Sequence, residues 1–292
     1  MSTLEASFAS PAVLLQMTPA LEQARAAVPA IEMRGVEIHF GEGKTAVRAV
    51  SQLDLDIAPG ELVSVLGPSG CGKSTLIGAV AGFTPLSAGS LRVEGRAVRE
   101  PGPDRGVVFQ HHTLFPWKRV LENVEFGLKM RGATRSERRA AAQSILVTVG
   151  LGEFVRHYPW QLSGGMQQRV SLARVLVNRP RVMLMDEPFC ALDAQTRLSM
   201  QELLLALWHE FEITVLFVTH DVDEAIFLSD RILVLSERPG RLRAELRVSL
   251  PRPRTRALLT TPEFMQLKEQ ALALLFDNPA TSARATFARA AG

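Results

Sequence analysis

The sequence is short of cysteine, aromatic side chains, long apolar runs and charge imbalance, and each shortage excludes a class of protein. Only Cys71 and Cys190 occur, far apart and in no metal-ligand spacing, so neither a disulfide framework nor a cysteine-based zinc site is indicated, and a reducing cytoplasm suits the chain. Aromatics make up 6% of the 292 residues. The longest apolar runs, such as 182–185 and 213–218, fall far below the ~20 residues needed to cross a bilayer. Glu5 precedes any Lys or Arg, with no compact apolar segment behind a basic start, so no secretory signal is expected. Any membrane role must therefore go through a partner. Thirty-three basic against 30 acidic residues give a net charge of only +3. The densest basic stretch, 238–256, is interrupted by Pro239, Gly240, Pro251 and Pro253 and has no interleaved aromatics. It reads as a solvated surface, and nucleic acid is not an expected partner.

What is present is a globular composition, 47% hydrophobic and 22% charged with 21 Gly and 17 Pro, which argues against disorder, collagen and coiled coil. Residues 1–30 are weakly patterned, with a short helix at 21–27, and read as a flexible extension. From Ile31 short alternating stretches at 36–40 and 53–57 predict half-buried antiparallel strands. An apolar strand at 61–66, a Gly-rich turn and a helix over 73–81 follow. Residues 113–165 differ in kind: 120–130 and 136–149 read as helices of an inserted subdomain. Buried-type strands at 181–185, 214–218 and 232–235, with a helix over 194–210 between the first two, call for a parallel sheet. An amphipathic helix over 262–276 lies in the C-terminal segment 251–292, whose last residues are expected to fray.

Gly67-Pro68-Ser69-Gly70-Cys71-Gly72-Lys73-Ser74-Thr75 fits the phosphate-binding loop pattern at every fixed position and lies between a predicted strand and helix. Its glycines let backbone N–H groups face a β-phosphate, Lys73 brings a mobile cation, Ser74 suits Mg²⁺, and the helix N-terminus adds its positive dipole end. The apolar strand ending in Asp186-Glu187 supplies two carboxylates: Asp186 is suited to hold Mg²⁺ through water, and Glu187 to orient or deprotonate an attacking water. Leu162-Ser163-Gly164-Gly165 precedes an apolar-periodic helix over 170–177. By itself this fits either an ordinary capped helix start or a second phosphate-binding terminus. Gln110 and His220 stand at strand ends, where open α/β sheets build sites, although a lone His is more often structural.

These motifs, with Ala191-Leu192-Asp193 and Thr219-His220-Asp221, occur in the order found in the ATP-binding subunits of ABC transporters, which the chain resembles over residues 31–250. The resemblance implies an α/β fold: a P-loop NTPase (RecA-like) core, an antiparallel β subdomain and an inserted α-helical subdomain. It also implies an ATPase using ATP and Mg²⁺. On matching positions, Gln110 would touch Mg²⁺ and the attacking water, Glu187 would be the catalytic carboxylate, and His220 would contact the γ-phosphate. Asp193 would bridge two subunits, Ser163, Gly164 and Gly165 would complete the partner copy's site, and Phe40 would stack on adenine. Met166 stands where the family most often has Gln, and Phe40 where Tyr is common; the ring face that stacking needs is kept. The blocks Gly102 to Gln110, Leu114-Phe115-Pro116-Trp117, Trp160-Gln161 and Arg238-Pro239-Gly240-Arg241 look like the nitrate/sulfonate/taurine importer group. The implied assembly is a pair of ATPase subunits with two membrane permease subunits and a solute-binding protein, at the cytoplasmic face of the inner membrane, with no direct solute contact by this chain. The short separation of Lys73 from Ser163 leaves no room for the coiled-coil insertion or second cassette of related DNA-repair and translation ATPases. Glu187 and His220 weigh against a non-catalytic regulatory cassette.

Overall fold

In the computed structural model, which describes residues 28–41 and 46–276, two kinds of strand build two sheets. The first kind is amphipathic. β1 (Ile31–Phe40) and β2 (Val47–Ile57) bury alternate side chains over much of their length and pair antiparallel, with Ile31 opposite Ile57. β4 (Ala88–Val93) and β5 (Arg96–Ala97) extend this sheet in the order β2-β1-β4-β5. Neither is visible in the hydrophobic pattern, because both are short and mostly exposed.

The second kind is apolar on both sides. β3 (Leu62–Leu66), β7 (Val182–Asp186), β8 (Thr214–Val218) and β9 (Arg231–Leu235), with β6 (Arg105–Val108), run parallel, and β10 (Leu242–Arg247) adds an antiparallel edge. The strand order is β10-β9-β3-β8-β7-β6. Side chains alternate between two cores: Leu62, Leu66, Met183, Met185, Val215 and Phe217 face one, while Val63, Val65, Val182, Leu184, Leu216 and Val218 face the other. Each fully buried Val, Leu, Met or Phe is worth about 1.5–3 kcal/mol. A one-residue slip would exchange the two faces, so the register of these strands is firmly set.

Helix α1 (Lys73–Ala81) packs on the second core with the antiparallel sheet. The first core takes α2 (Val120–Val124), α4 (Arg135–Thr148), α5 (Gly164–Leu176), α6 (Ala194–Phe211), α7 (Val222–Leu228) and α8 (Pro262–Phe276). The helix expected over 120–130 is two: α2 ends, the chain turns at Glu125, and α3 (Phe126–Met130) follows. The turn seats Gly127 against the Asn178 side chain, where a Cβ would collide. Among the described residues no helix is long and apolar enough to cross a membrane.

The basic stretch expected to be solvated is not uniformly so. Arg254 is only 5% exposed and donates to the carbonyls of Ile226, Phe227 and Ser229 at 3.0, 3.0 and 2.8 Å. The last carbonyls of a helix lack intrahelical donors, and this guanidinium supplies them at the end of α7. Burial, with Arg252 nearby, pulls its pKa down to about 9. Arg252 itself lies over the Trp208 ring at 4.2 Å and pairs with Asp230 at 2.6 Å. The helix expected at 21–27 and the fraying expected at the chain's end lie outside the described residues.

Candidate functional site

Five parallel strands finish at one edge of the sheet, where the segments leaving them converge: the 67–72 loop after β3, Gln110 after β6, Glu187 after β7, His220 after β8 and the 236–241 turn after β9. The register aligns them, with Val218 opposite both Val65 and Asp186, and Val65 opposite Leu233. Crevices at the carboxyl ends of parallel strands are where open α/β sheets bind ligands.

The loop's curl depends on two left-handed residues, Gly70 at φ 76° and Gly72 at φ 105°. A Cβ on Gly72 would also lie 2.6 Å from the Ala49 carbonyl oxygen, so glycine is required there by both conformation and space. Lys73 is buried, and its Nζ donates to the carbonyls of Gly67 and Pro68 at 2.7 and 3.0 Å. Ser74 Oγ donates to Asp186 Oδ1 at 3.0 Å. Burial first, and then the Glu187 carboxylate, push the Asp186 pKa up, while the Ser74 hydrogen bond and Lys73 oppose the rise. Cys71 is buried and its thiol pKa is pushed up by desolvation.

Glu187 holds a left-handed backbone, φ 45°, uncommon for a non-glycine residue and costing about 1–3 kcal/mol. Its N–H donates to the Val218 carbonyl at 2.9 Å, and its carboxylate Oε2 meets His220 Nδ1 at 3.0 Å. Gln110 points elsewhere: its Nε2 donates to Cys190 Sγ at 3.3 Å.

A cleft of about 520 Å³ opens over the loop, lined by Phe40, Val47 and Ala49 of the antiparallel sheet, by Ser69, Gly70, Gly72, Lys73, Ser74 and Thr75, and by Glu187 and Arg238. Phe40 is 48% exposed, which leaves a ring face available. Gly67 and Pro68 join through Lys73, Asp186 through Ser74, and His220 through Glu187. Ser163, Gly164, Gly165 and Asp193 are not in the cleft. Ser163 caps α5, accepting from the Met166 N–H at 3.4 Å, and Asp193 caps α6, accepting from the Thr196 N–H at 3.0 Å. These two helix starts pack on each other, with Leu192 and Thr196 beside Gly164 and Gly165.

Sequence reasoning missed three lining residues, Val47, Ala49 and Arg238. Arg238 had a usable signal: an Arg-Pro-Gly turn directly after an apolar strand parallel to β3 must emerge at the edge that carries the loop. It also missed Asn123, fully buried, whose Oδ1 accepts from the Phe115 N–H at 2.8 Å and whose Nδ2 donates to the Lys118 carbonyl at 3.0 Å. This amide holds the 115–118 segment in shape and leaves Trp117 71% exposed.

Comparison with known proteins agrees with this architecture. A family model described as ABC transporter matches residues 50–190. The taurine import ATP-binding protein TauB of Rhizobium johnstonii is 48% identical over 238 residues, 80% of this chain and 90% of that protein. The nitrate import ATP-binding protein NrtD of Synechocystis is 45% identical over 251 residues, 84% and 94% of the two chains. A dimeric bacterial ABC transporter cassette superposes with a TM-score of 0.67 at 33% identity, covering 76% of this chain and all of that one. The same cassette has been solved as a dimer in a post-hydrolysis state bound to ADP and Pi, at 34% identity. The chain is therefore an ATP-binding subunit of the ABC transporter family, an ATPase built on a P-loop cassette.

Proposed function

We propose that two copies of this chain close on two ATP molecules, each held between the 67–75 loop of one copy and the Ser163 helix terminus of the other, and that this cycle drives uptake of a small anionic solute of the taurine or nitrate kind through a separate permease. One observation carries the reading. The chain has two helix N-termini fit for phosphate, one inside the cleft and one outside it on an exposed surface, where Ser163 and Gly164 face solvent. The importer assignment rests on the names of the relatives, and with it come a solute-binding protein, a paired permease and the cytoplasmic membrane face. Residues 31–250 form the ATP-binding domain, with the helical subdomain at about 113–165.

On this reading each residue takes a role that its place supports. Phe40 stacks on adenine, the loop N–H groups hold the β-phosphate, and Lys73 Nζ exchanges its two carbonyl partners for phosphate oxygens. Glu187 orients and deprotonates the attacking water. His220, engaged through Nδ1, keeps Nε2 for a γ-phosphate oxygen and holds the Glu187 carboxylate in place. Gln110 reaches the water after leaving Cys190, and Asp193 links the two copies. The hydroxyl of Ser74 and the carboxylate of Asp186 form a hard-oxygen pair suited to Mg²⁺. When bound, Mg²⁺ neutralises charge on the β- and γ-phosphates, and the rest of the rate comes from positioning.

The test is light scattering with and without MgATP. Glu187→Gln keeps size and hydrogen bonding but loses the base, a role worth roughly 10² to 10⁴ in rate, so it should accumulate as an ATP-bound dimer. Adding Ser163→Arg should abolish that dimer. A monomeric Glu187→Gln protein, or a double variant that still dimerises, refutes the shared site. Uptake by the complex co-purified with its membrane subunit tests the solute class.

A further inference from the structure

We propose that Arg238, in the turn between β9 and β10, is a further nucleotide-binding residue that grips the phosphates common to ATP and ADP. The inference rests on the cleft over the 67–75 loop being the nucleotide site.

Arg238 lines that cleft. Its Nε donates to the Gly70 carbonyl at 3.0 Å, and Nη2 would lie 3.3 Å from a Cβ on Gly70, so the guanidinium lies along the loop. Among the described residues its two Nη groups make no hydrogen bond and no carboxylate forms an ion pair with it. A planar cation held by one nitrogen at the wall of a cleft, with the other two unpaired, is suited to bind phosphate oxygens in pairs.

The turn that carries it is rigid. Gly240 N–H donates to the Ala49 carbonyl at 2.9 Å and Ser51 N–H to the Gly240 carbonyl at 3.0 Å. Ser236 Oγ shares its proton between the Glu237 and Pro239 carbonyls, at 2.9 and 3.0 Å, and accepts from the Arg241 N–H at 3.1 Å. Gly240 lies so close to the Cys71 carbonyl oxygen that a Cβ there would collide with it. Arg238 is thus fixed relative to the loop through β2 and through Gly70.

Strand order decides which phosphates it meets. The loop follows β3, Glu187 and His220 follow β7 and β8 on one side of it, and Arg238 follows β9 on the other. The phosphate under attack must lie toward Glu187. Arg238 therefore meets the part of the nucleotide remote from the reaction, which ATP and ADP share, and its contribution is uniform between ground and transition states.

Nucleotide titration and steady-state hydrolysis on the full-length chain test this. Arg238→Ala should weaken ATP and ADP about tenfold each, as loss of a charge-assisted hydrogen bond implies. It should raise KM by the same factor, keep kcat within about twofold and flatten the ionic-strength dependence of binding. Arg238→Lys, which keeps charge but not the fork, should fall between. If the Ala protein melts well below wild type, Arg238→Gln, which retains an N–H donor for Gly70 without the charge, carries the same expectations. Affinities within twofold of wild type, loss for ATP alone, or a fall in kcat at unchanged KM would each overturn the assignment; the last would mark Arg238 as a loop brace only. Lys73→Ala separates this from the site reading: wild-type nucleotide affinity in both variants refutes the cleft as the nucleotide site, whereas loss in Lys73→Ala alone refutes Arg238.

Discussion

Gly165→Ala isolates the Ser163 terminus without touching the cleft. Gly165 is buried in the first turn of α5, and a Cβ there would lie 2.6 Å from Thr196 Cγ2. Carbon pairs are most favourable near 3.5–4.0 Å, so the overlap is about 1 Å. Thr196 yields reluctantly, because its N–H is held by Asp193 and a β-branched side chain in a helix has few χ1 choices. Overpacking of this kind costs about 1–3 kcal/mol, offset by about 1 kcal/mol from replacing a helical Gly by Ala. The net of about 0–2 kcal/mol lowers the melting temperature by at most about 8 °C, so the protein folds. The displacement, however, falls on the surface proposed to complete a partner's site, and a 1 Å misplacement there costs on the order of 10² in turnover. Nucleotide affinity of the single chain should stay within twofold. Adding Thr196→Ala deletes Cγ2, leaves the backbone N–H to Asp193, and should restore most of the turnover. Wild-type turnover in Gly165→Ala, or a double variant no better than the single one, would refute this reasoning.

Arg254→Ala leaves three carbonyls at the end of α7 without their donor; at about 1–3 kcal/mol per orphaned buried acceptor, partly relieved by water, the loss should be about 3–5 kcal/mol, read as a lower calorimetric melting temperature. An unchanged melt would show that the cap is dispensable. Glu224 lies buried, accepting from Gln201 Nε2 at 3.0 Å and from Thr219, and burial raises its pKa. The folded protein thus takes up this proton more readily than the unfolded chain, and stability is lost as pH rises through the folded value. Glu224→Gln, fixed neutral, should gain on wild type in melting temperature from acid to neutral pH, and parallel pH profiles would exclude the effect. Asp186 and Glu61 are shifted in the same direction and remain in both proteins, so the difference belongs to Glu224. A photocrosslinker at Trp117 should capture the co-expressed membrane subunit, since Trp117 stands exposed with its ring tilted against Phe115, which is tilted in turn against Phe126; capture equal to that from Glu94, exposed between β4 and β5 of the antiparallel sheet, would count against a docking role.

The central strands were legible because each is a short, mainly apolar run, broken in β3 only by Ser64, and chemistry could be placed at their ends because parallel strands share an edge. β4, β5 and β10 were not legible. Ala88, Gly89 and Ser90 carry no apolar signal, and β10 alternates exposed and half-buried positions with arginines among them, so pairing partners alone make these segments strands. The break within 120–130 is likewise not announced locally: it comes at Glu125, and the segment after it places Gly127 against the distant Asn178. In the candidate site, the residues adjoining the loop could be placed from sequence. The separation of Ser163 and Asp193 from the cleft could not, because it depends on how α5 and α6 pack. Arg254 and Arg238 illustrate the same limit: identical guanidinium groups in one basic stretch, one buried as a helix cap and one lining a cleft, distinguished only by which carbonyl each can reach.

The two carbonyl partners of Lys73 bear on how tightly a nucleotide is held. Its ammonium spends two of its three N–H donors on Gly67 and Pro68, at 2.7 and 3.0 Å, so in the proposed site a phosphate oxygen takes the third and must displace a loop carbonyl to gain a second bond. For that second bond the affinity gained is the difference between a charge-assisted bond to phosphate and the bond to a loop carbonyl, not the full strength of the former. A buried lysine without those partners would bind more avidly and release more slowly, since affinity differences within one kind of complex are mostly differences in dissociation rate. An ATPase that turns over repeatedly must let ADP go, and in the proposed site the Gly67 and Pro68 carbonyls compete with phosphate for the Lys73 donors, which favours release.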